Sequence, residues 1–284
     1  MRLSFPLILL LAAAGLLSCD RDDDAGRRVF RFINRGDIFT LDLNGMSYAQ
    51  DFRLTYAIRE GLYAPTGPEN KPVPAGAERH SVSPDGKVYT FFLRRDAKWS
   101  NGDPVVAGDY VFSWNLLLES PGEYTYLFYA ITNAEAYEKA CAQGAGATAA
   151  RPAIRAVDDY TLEVTLDRPV TYFLDLTAFP MFYPRHAASM QKFRREMGGR
   201  VSYDNLYTRP PAVVTNGPFK LVRWDFKRSL RLERNEHYYA TDQVGLDVIE
   251  NIVNDNPLSQ LLQYDAGAVH WVAEVQPDLA ADLR

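Results

Sequence analysis

Tyr89–Trp114 reads YTFFLRRDAKWSNGDPVVAGDYVFSW, and the order of residue types in it sets the local structure. Tyr89–Leu93 is aromatic and apolar, a strand by composition, and it breaks at the charged run Arg94-Arg95-Asp96. Asn101-Gly102-Asp103-Pro104 is a turn, because glycine reaches positive φ freely and proline fixes its own φ. Asp109, with Gly108 before it, is suited to cap a helix over the apolar stretch Tyr110–Leu118. A strand, a turn and a helix with one buried face follow from these residues alone.

Working outward, Arg28–Ile33 alternates weakly as a first strand and turns at Asn34-Arg35-Gly36-Asp37. Gln50–Leu62 spaces Phe52, Leu54, Tyr56, Ile58 and Leu62 as an amphipathic helix ended by Gly61. Residues 63–76, rich in Pro and Gly, read as a connection, and Pro84-Asp85-Gly86-Lys87 as a hairpin turn between Glu78–Val82 and Val88–Leu93. Downstream, Leu162, Val164 and Leu166 alternate with Thr161, Glu163 and Thr165, the pattern of a half-buried strand. Asn133–Gln143 and the charged stretch Met190–Gly199 read as helices, Leu246–Val253 as a strand, and Leu258–Leu262 as the start of a helix.

The first block resembles the signature of the peptide/nickel family of periplasmic solute-binding proteins that serve ABC importers. Phe92-Leu93-Arg94, Lys98-Trp99-Ser100, Gly102, Pro104-Val105, Asp109 and Phe112-Ser113-Trp114 carry it. Four further blocks follow the family order. They are Thr40-Leu41-Asp42 with Glu60-Gly61-Leu62; Ala156–Leu166 continued by Pro169, Tyr172 and Phe173-Leu174; Asn216-Gly217-Pro218-Phe219 leading to Trp224; and Leu230–Asn235 with Tyr238-Tyr239. Two departures stand out. Leu43 replaces the family proline, which loosens that turn, and the corner Gly267-Ala268-Val269-His270 lacks both usual acids.

The resemblance implies an α/β chain: a periplasmic-binding-protein-like type II lobe, a mixed sheet with flanking helices, with an α+β subdomain inserted. Lobe I is expected over 28–60 and 187–272, the inserted subdomain over 61–186, and a crossover over 273–284 into a second lobe that this chain lacks. The chain is expected to be a fragment or truncated version of a longer family member, the alternative being a genuine half. Family likeness places the first-lobe side of an interlobe cleft at Ser47, Tyr48 and Ala49, with a tyrosine-bearing wall at Tyr124 and Tyr126. It places Ala273 and Glu274 at the contact positions of the crossover strand. Glu274 suits an ammonium group or a backbone N–H, and extended peptides are bound in such clefts through their backbones.

The front end sets the compartment. Met1-Arg2 and the apolar run Leu3–Leu17 are too short to span a bilayer core and read as an export signal over 1–18. Leu16-Leu17-Ser18-Cys19 is a lipobox, which makes Cys19 the lipidated first mature residue; multiple acyl chains hold a protein on a bilayer. Residues 19–27, with Asp22-Asp23-Asp24, read as a tether. The other cysteine, Cys141, is a small structural hydrophobe in this reading, so no intrachain disulfide is expected.

Composition excludes several classes. The chain is 47% hydrophobic with a net charge of −5 and no basic stripe, so nucleic acid is not an expected partner. His80, His186, His237 and His270 are scattered, with no zinc spacing, and no G-x-S-x-G elbow is present. No catalytic residue, metal or cofactor is expected. The reading is a monomeric, lipid-anchored substrate-binding component of an ABC importer that takes oligopeptides and passes them to an inner-membrane permease. The alternative is an envelope lipoprotein on the same scaffold that acts in sensing or adhesion.

Overall fold

The structure, a computed structural model, describes residues 24–34, 36–197 and 200–275. In chain order the strands are β1 Val29–Ile33, β2 Tyr63–Thr66, β3 Lys71–Pro74, β4 Ala77–Val82, β5 Val88–Leu93, β6 Ile154–Asp158 and β7 Thr161–Thr165. They continue with β8 Arg194–Met197, β9 Arg200–Tyr203, β10 Phe219–Asp225, β11 Ser229–Arg234, β12 Val248–Ile252 and β13 Trp271–Val272. The helices are α1 Ala49–Ile58, α2 Ala107–Glu119, α3 Ala134–Ala142, α4 Phe173–Thr177, α5 Ala187–Met190 and α6 Pro257–Asp265.

Two sheets organise two hydrophobic cores. The first has the order β10-β11-β12-β1-β13, with β1 parallel to β12 and β13 and the hairpin β10–β11 antiparallel at one side. Period-two alternation sorts its faces. Phe32, Leu221, Leu230 and Leu232 pack with Leu54 and Ile58 of α1. Arg31, Glu250, Arg231 and Arg223 lie in register across four strands, so that row is charged.

The second sheet, β4-β5-β7-β6, is antiparallel. Phe91, Leu93, Leu162 and Val164 are buried with Tyr110, Trp114, Leu117 and Leu118 of α2. Trp114 is fully buried, and its Nε1–H donates to the Phe182 carbonyl at 2.9 Å. Phe182 stacks on Phe128 with ring centroids 3.9 Å apart.

The Tyr89–Trp114 block forms its strand, turn and helix, with one change of role. Asp109 lies at the third position of α2, not at its cap. From there its carboxylate accepts from the Val106 N–H at 3.1 Å and from Trp99 Nε1–H at 3.0 Å. The side chain thus satisfies one free donor at the helix start and one buried indole.

Other expectations are corrected. The helix read as Gln50–Leu62 ends at Ile58, because Arg59 is extended (φ −134°, ψ 156°). Gly61 serves close packing: a Cβ there would lie 2.5 Å from the Tyr183 ring. Residues 63–76, read as a connection, form the hairpin β2–β3. The stretch Met190–Gly199, read as a charged helix, holds the strand β8 paired with β9. Met190 and Phe193 dock against Leu116 and Tyr207 through a short 3-10 turn over Gln191–Phe193, and the charged residues after it pair across strands instead of continuing a helix. Leu43 does not loosen its turn. Asp42 caps a 3-10 turn over Leu43–Gly45 by accepting from the Asn44 N–H, and Leu43 is buried.

Residues 1–23, including the export signal and Cys19, lie outside the described residues. The tether read over 19–27 is packed from Asp24 onward: Asp24 pairs with Arg31 at 2.9 Å and Arg231 at 2.7 Å.

A buried polar junction lies between the two cores. The Asn216 amide takes both backbone groups of Glu60, accepting its N–H at 3.2 Å and donating to its carbonyl at 2.8 Å. Gly217 N–H donates to the Ile58 carbonyl at 3.0 Å, where a Cβ would strike backbone 2.5 Å away. The Glu60 carboxylate accepts from Tyr238 at 2.8 Å and Tyr239 at 3.0 Å. Burial pushes its pKa up to about 7 against those hydrogen bonds.

Candidate functional site

Because β1, β12 and β13 run parallel, the chain leaves all three at one edge of the first sheet. In open α/β sheets that carboxyl edge is where ligands bind. Three segments meet it here: residues 36–48 after β1, residues 253–256 after β12, and residues 273–275 after β13. The β10–β11 turn joins them, since Ser229 pairs with Ile252 at the end of β12 and the Lys227 N–H donates to Asp37 Oδ2 at 3.2 Å.

The segment 36–48 presents aromatic surface. Phe39 is 70% exposed and Tyr48 51% exposed, and their rings meet edge-on with centroids 5.8 Å apart. Phe226 on the β10–β11 turn is likewise exposed. This display is anchored from beneath. Asp51, fully buried in the first turn of α1, accepts from the Phe39 N–H at 2.8 Å. Desolvation pushes the Asp51 pKa up to about 6, partly offset by the backbone N–H groups of Phe39 and Thr40. A buried carboxylate that holds a loop whose large side chains face solvent is a positioning device, since exposed aromatics stabilise nothing by burial.

Of the residues singled out from sequence, Tyr48, Ala49, Tyr124 and Glu274 lie on or near α1. Ser47 is half-buried, Tyr48 is the residue before the first turn of α1, and Ala49 begins the helix. Tyr124 packs edge-on against Phe52 of α1 at 5.7 Å and against Phe179 at 5.5 Å. Tyr126, two residues on, is 58% exposed. Ala273 continues the pairing with β1, its N–H donating to the Ile33 carbonyl at 3.0 Å, and Glu274 is exposed beyond it. The helix therefore carries the loop residues at its start, Tyr124 against its Phe52 and the crossover's Trp271 against its Arg53.

Arg53, which sequence reasoning passed over, makes the last connection. Its guanidinium lies 4.9 Å from the Trp271 ring centre and donates to Asn34 Oδ1. Burial lowers its pKa, while the nearby Glu274 charge supports it. A cleft of about 340 Å³ lined by Phe30, Phe32, Leu54, Ala57 and Ile249 opens beside Arg53 and Trp271. Phe39 was also passed over. A single aromatic in a loop has no period to betray it, and Arg53 on an amphipathic helix reads as an ordinary solvated charge.

Among the described residues, no group of three or more His, Cys, Asp or Glu converges as a metal site. The edge offers aromatic faces, the Arg53 guanidinium, carboxylates such as Asp37 and Glu274, and open backbone. It can hold a ligand through stacking, charge pairing and hydrogen bonds.

Fold and edge together define a binding lobe of the periplasmic-binding-protein-like α/β type, carrying an inserted α+β unit. The chain belongs to the bacterial extracellular solute-binding proteins of family 5, whose middle region matches residues 71–284. It is 34% identical over 205 residues to the oligopeptide-binding protein OppA of Bacillus subtilis, covering 72% of this chain and 35% of that protein. A crystal structure of an oligopeptide ABC transporter substrate-binding domain from Bacillus anthracis superposes with a TM-score of 0.76 at 36% identity. That match covers 86% of this chain and 45% of the other. OppA of Listeria monocytogenes, solved bound to peptide, gives a TM-score of 0.74 at 32% identity over 86% of this chain and 46% of its own. The chain thus spans about a third of the curated relative's length and under half of the solved chains. These relatives are named as binding proteins, not enzymes.

Proposed function

We propose that this chain supplies the first-lobe face of a peptide-binding cleft in the solute-binding component of an ABC importer, held on a membrane by lipidated Cys19. The observation that carries the reading is the carboxyl edge. There Phe39 is held exposed by buried Asp51 and meets Tyr48 edge-on, with Arg53 of α1 against Trp271 and near Glu274. Exposed, rigidly mounted aromatics offer large contact area at low entropic cost, which suits varied side chains. Ser47, Tyr48, Ala49, Ala273 and Glu274 are the proposed contacts, with Tyr124 and Tyr126 as a flanking wall. The relatives named for oligopeptide binding favour peptides among the possible solutes.

A cleft buries most of a ligand between two faces, and one face alone holds it weakly. Titrating tri- to pentapeptides into isotopically labelled protein should shift resonances of Tyr48, Ala49 and Glu274 at millimolar peptide, with Tyr48→Ala abolishing the effect. Shifts scattered over the inserted sheet, or none at saturating peptide, would defeat the assignment. The anchor has its own test. Cys19→Ser should move the protein from the membrane fraction to the soluble fraction, and an unchanged distribution would refute lipidation at Cys19.

A further inference from the structure

The segment 36–48 that displays Phe39 and Tyr48 belongs to neither hydrophobic core alone. Ile38 and Leu41 are buried in the first core, with Leu54 and Ile58. Leu43 and Met46 are buried in the second, with Trp114, Leu117 and Phe182. Phe39 lies between the first pair of anchors, and Tyr48 lies two residues after the second. Apolar contacts are non-directional, so four of them do not fix how the segment is rotated between the cores.

The directional bonds come from Arg185, which is 1% exposed. Its Nη1 donates to the Ser113 carbonyl of α2 at 3.0 Å and to the Ser113 hydroxyl at 3.3 Å. Its Nη2 donates to Asp42 Oδ1 at 3.4 Å and to Asn44 Oδ1. The same Asp42 oxygen accepts from the Tyr207 hydroxyl at 2.7 Å and from the Asn44 N–H at 3.2 Å. The Asn44 amide in turn donates to the carbonyls of Leu116 and Ser120 at the end of α2. The backbones also approach closely there: a Cβ on Gly122 would lie 1.8 Å from the Asn44 carbonyl oxygen.

A guanidinium is a planar fork, so it fixes two directions at once. One prong of Arg185 is on α2 and the other is on the 3-10 turn over Leu43–Gly45. That turn lies between Phe39 and Tyr48, whose rings meet edge-on. We infer that Arg185 is a positioning residue for ligand binding. It sets the rotation of the turn against α2, and through the turn it places Tyr48 beside Phe39. The inference rests on the reading that this edge takes peptides. Arg185 is buried and acts only through Asp42 and Asn44.

Two measurements on the full chain decide it. The first is amide hydrogen exchange without ligand, which reports local opening. Arg185→Lys keeps the charge but replaces the fork with a single ammonium. Asn44→Ala leaves Arg185 on Ser113 and Asp42 and removes only the side-chain ties at position 44. Asn44 is partly exposed, so this variant carries the test if Arg185→Lys does not fold. The Gly45 N–H, bonded to the Asp42 carbonyl at 3.0 Å, should exchange about tenfold faster in each variant, while Leu232 in β11 keeps its rate. Unchanged Gly45 exchange in both variants would overturn the inference.

The second is titration with tri- to pentapeptides, read as the dissociation constant from the Tyr48 and Ala49 resonances. Arg185→Lys and Asn44→Ala should each raise it about threefold or more, because the peptide must then order the loop itself. Val164→Ala removes buried volume from β7 in the second core and lowers stability, yet it should leave the constant unchanged. This control separates positioning from general loosening of the fold. Faster Gly45 exchange with an unaltered dissociation constant would make Arg185 merely structural and overturn the inference, as would an equal rise for Val164→Ala. If the wild type gives no peptide shifts, the peptide reading falls and the positioning role with it. The exchange rates still judge whether Arg185 holds the turn.

Discussion

Glu60 shows how one residue reports on its surroundings. Its carboxylate is buried against Tyr238 and Tyr239, yet its pKa rises to about 7 because desolvation outweighs the two hydroxyl donors. The folded protein therefore holds a proton at Glu60 between about pH 4.5 and 7 that the unfolded chain has released. Stability from this group is present at the acid end of that window and is lost as pH rises through 7. Glu60→Gln keeps the shape and removes the titration. The variant should lose less stability than the wild type between pH 5 and 8, by about 3 kcal/mol at most, measured by urea unfolding at each pH. Parallel pH curves for the two proteins would contradict the assignment. Asp51 and Asp109 are also raised by burial, so only the difference between the two proteins isolates Glu60.

Residue-scale reading of the sequence and the folded chain nominate partly different residues for the proposed site. Tyr48, Ala49 and Glu274 stood out through family likeness, and the structure places them on or beside α1. Phe39 and Arg53 did not, because their roles depend on partners far along the chain: Asp51 beneath one and Trp271 beside the other.

At the scale of elements, α2 and the turn before it behave as one unit. Asp109 ties the helix start to Trp99, whose ring is fully buried and packs edge-on to His186 at 5.2 Å. Its second oxygen accepts from the Ala187 N–H at 3.4 Å, linking the unit to α5. Asp109→Ala should therefore cost about 3 kcal/mol, combining a lost helix-start acceptor with a buried indole N–H left without a partner. Asp109→Asn, which keeps an acceptor oxygen, should cost about 1 kcal/mol. Equal midpoints for the two variants in chemical denaturation would show that the acceptor does not matter. Strands with strict alternation, such as Thr161–Thr165, were legible because period two leaves one face to bury. The β8–β9 hairpin was not, because an exposed charged stretch carries no such signal.

At the scale of the whole molecule, Asn216, Gly217 and Glu60 form a buried polar junction between the two cores. Asn216 is almost fully buried and spends its amide on both Glu60 backbone groups. Replacing it with alanine leaves a buried N–H and a buried carbonyl without partners, a loss of about 2–4 kcal/mol. The wild type should unfold in one calorimetric transition, and Asn216→Ala should split it or lower the van't Hoff enthalpy below the calorimetric one. A single unbroken transition in the variant would mean that the cores are coupled elsewhere.

What the sequence by itself determined is local and periodic: the strand–turn–helix of Tyr89–Trp114, the alternating strands, and the ordered blocks that mark the family. Those signals survive in one dimension because each depends on neighbours within a few residues. Tertiary structure alone decided which loops share the carboxyl edge, which carboxylate holds Phe39 in place, and that Asp24 closes on Arg31 and Arg231. Each of these joins groups between 7 and some 200 positions apart, and no residue spacing encodes a contact that only the packed sheet creates.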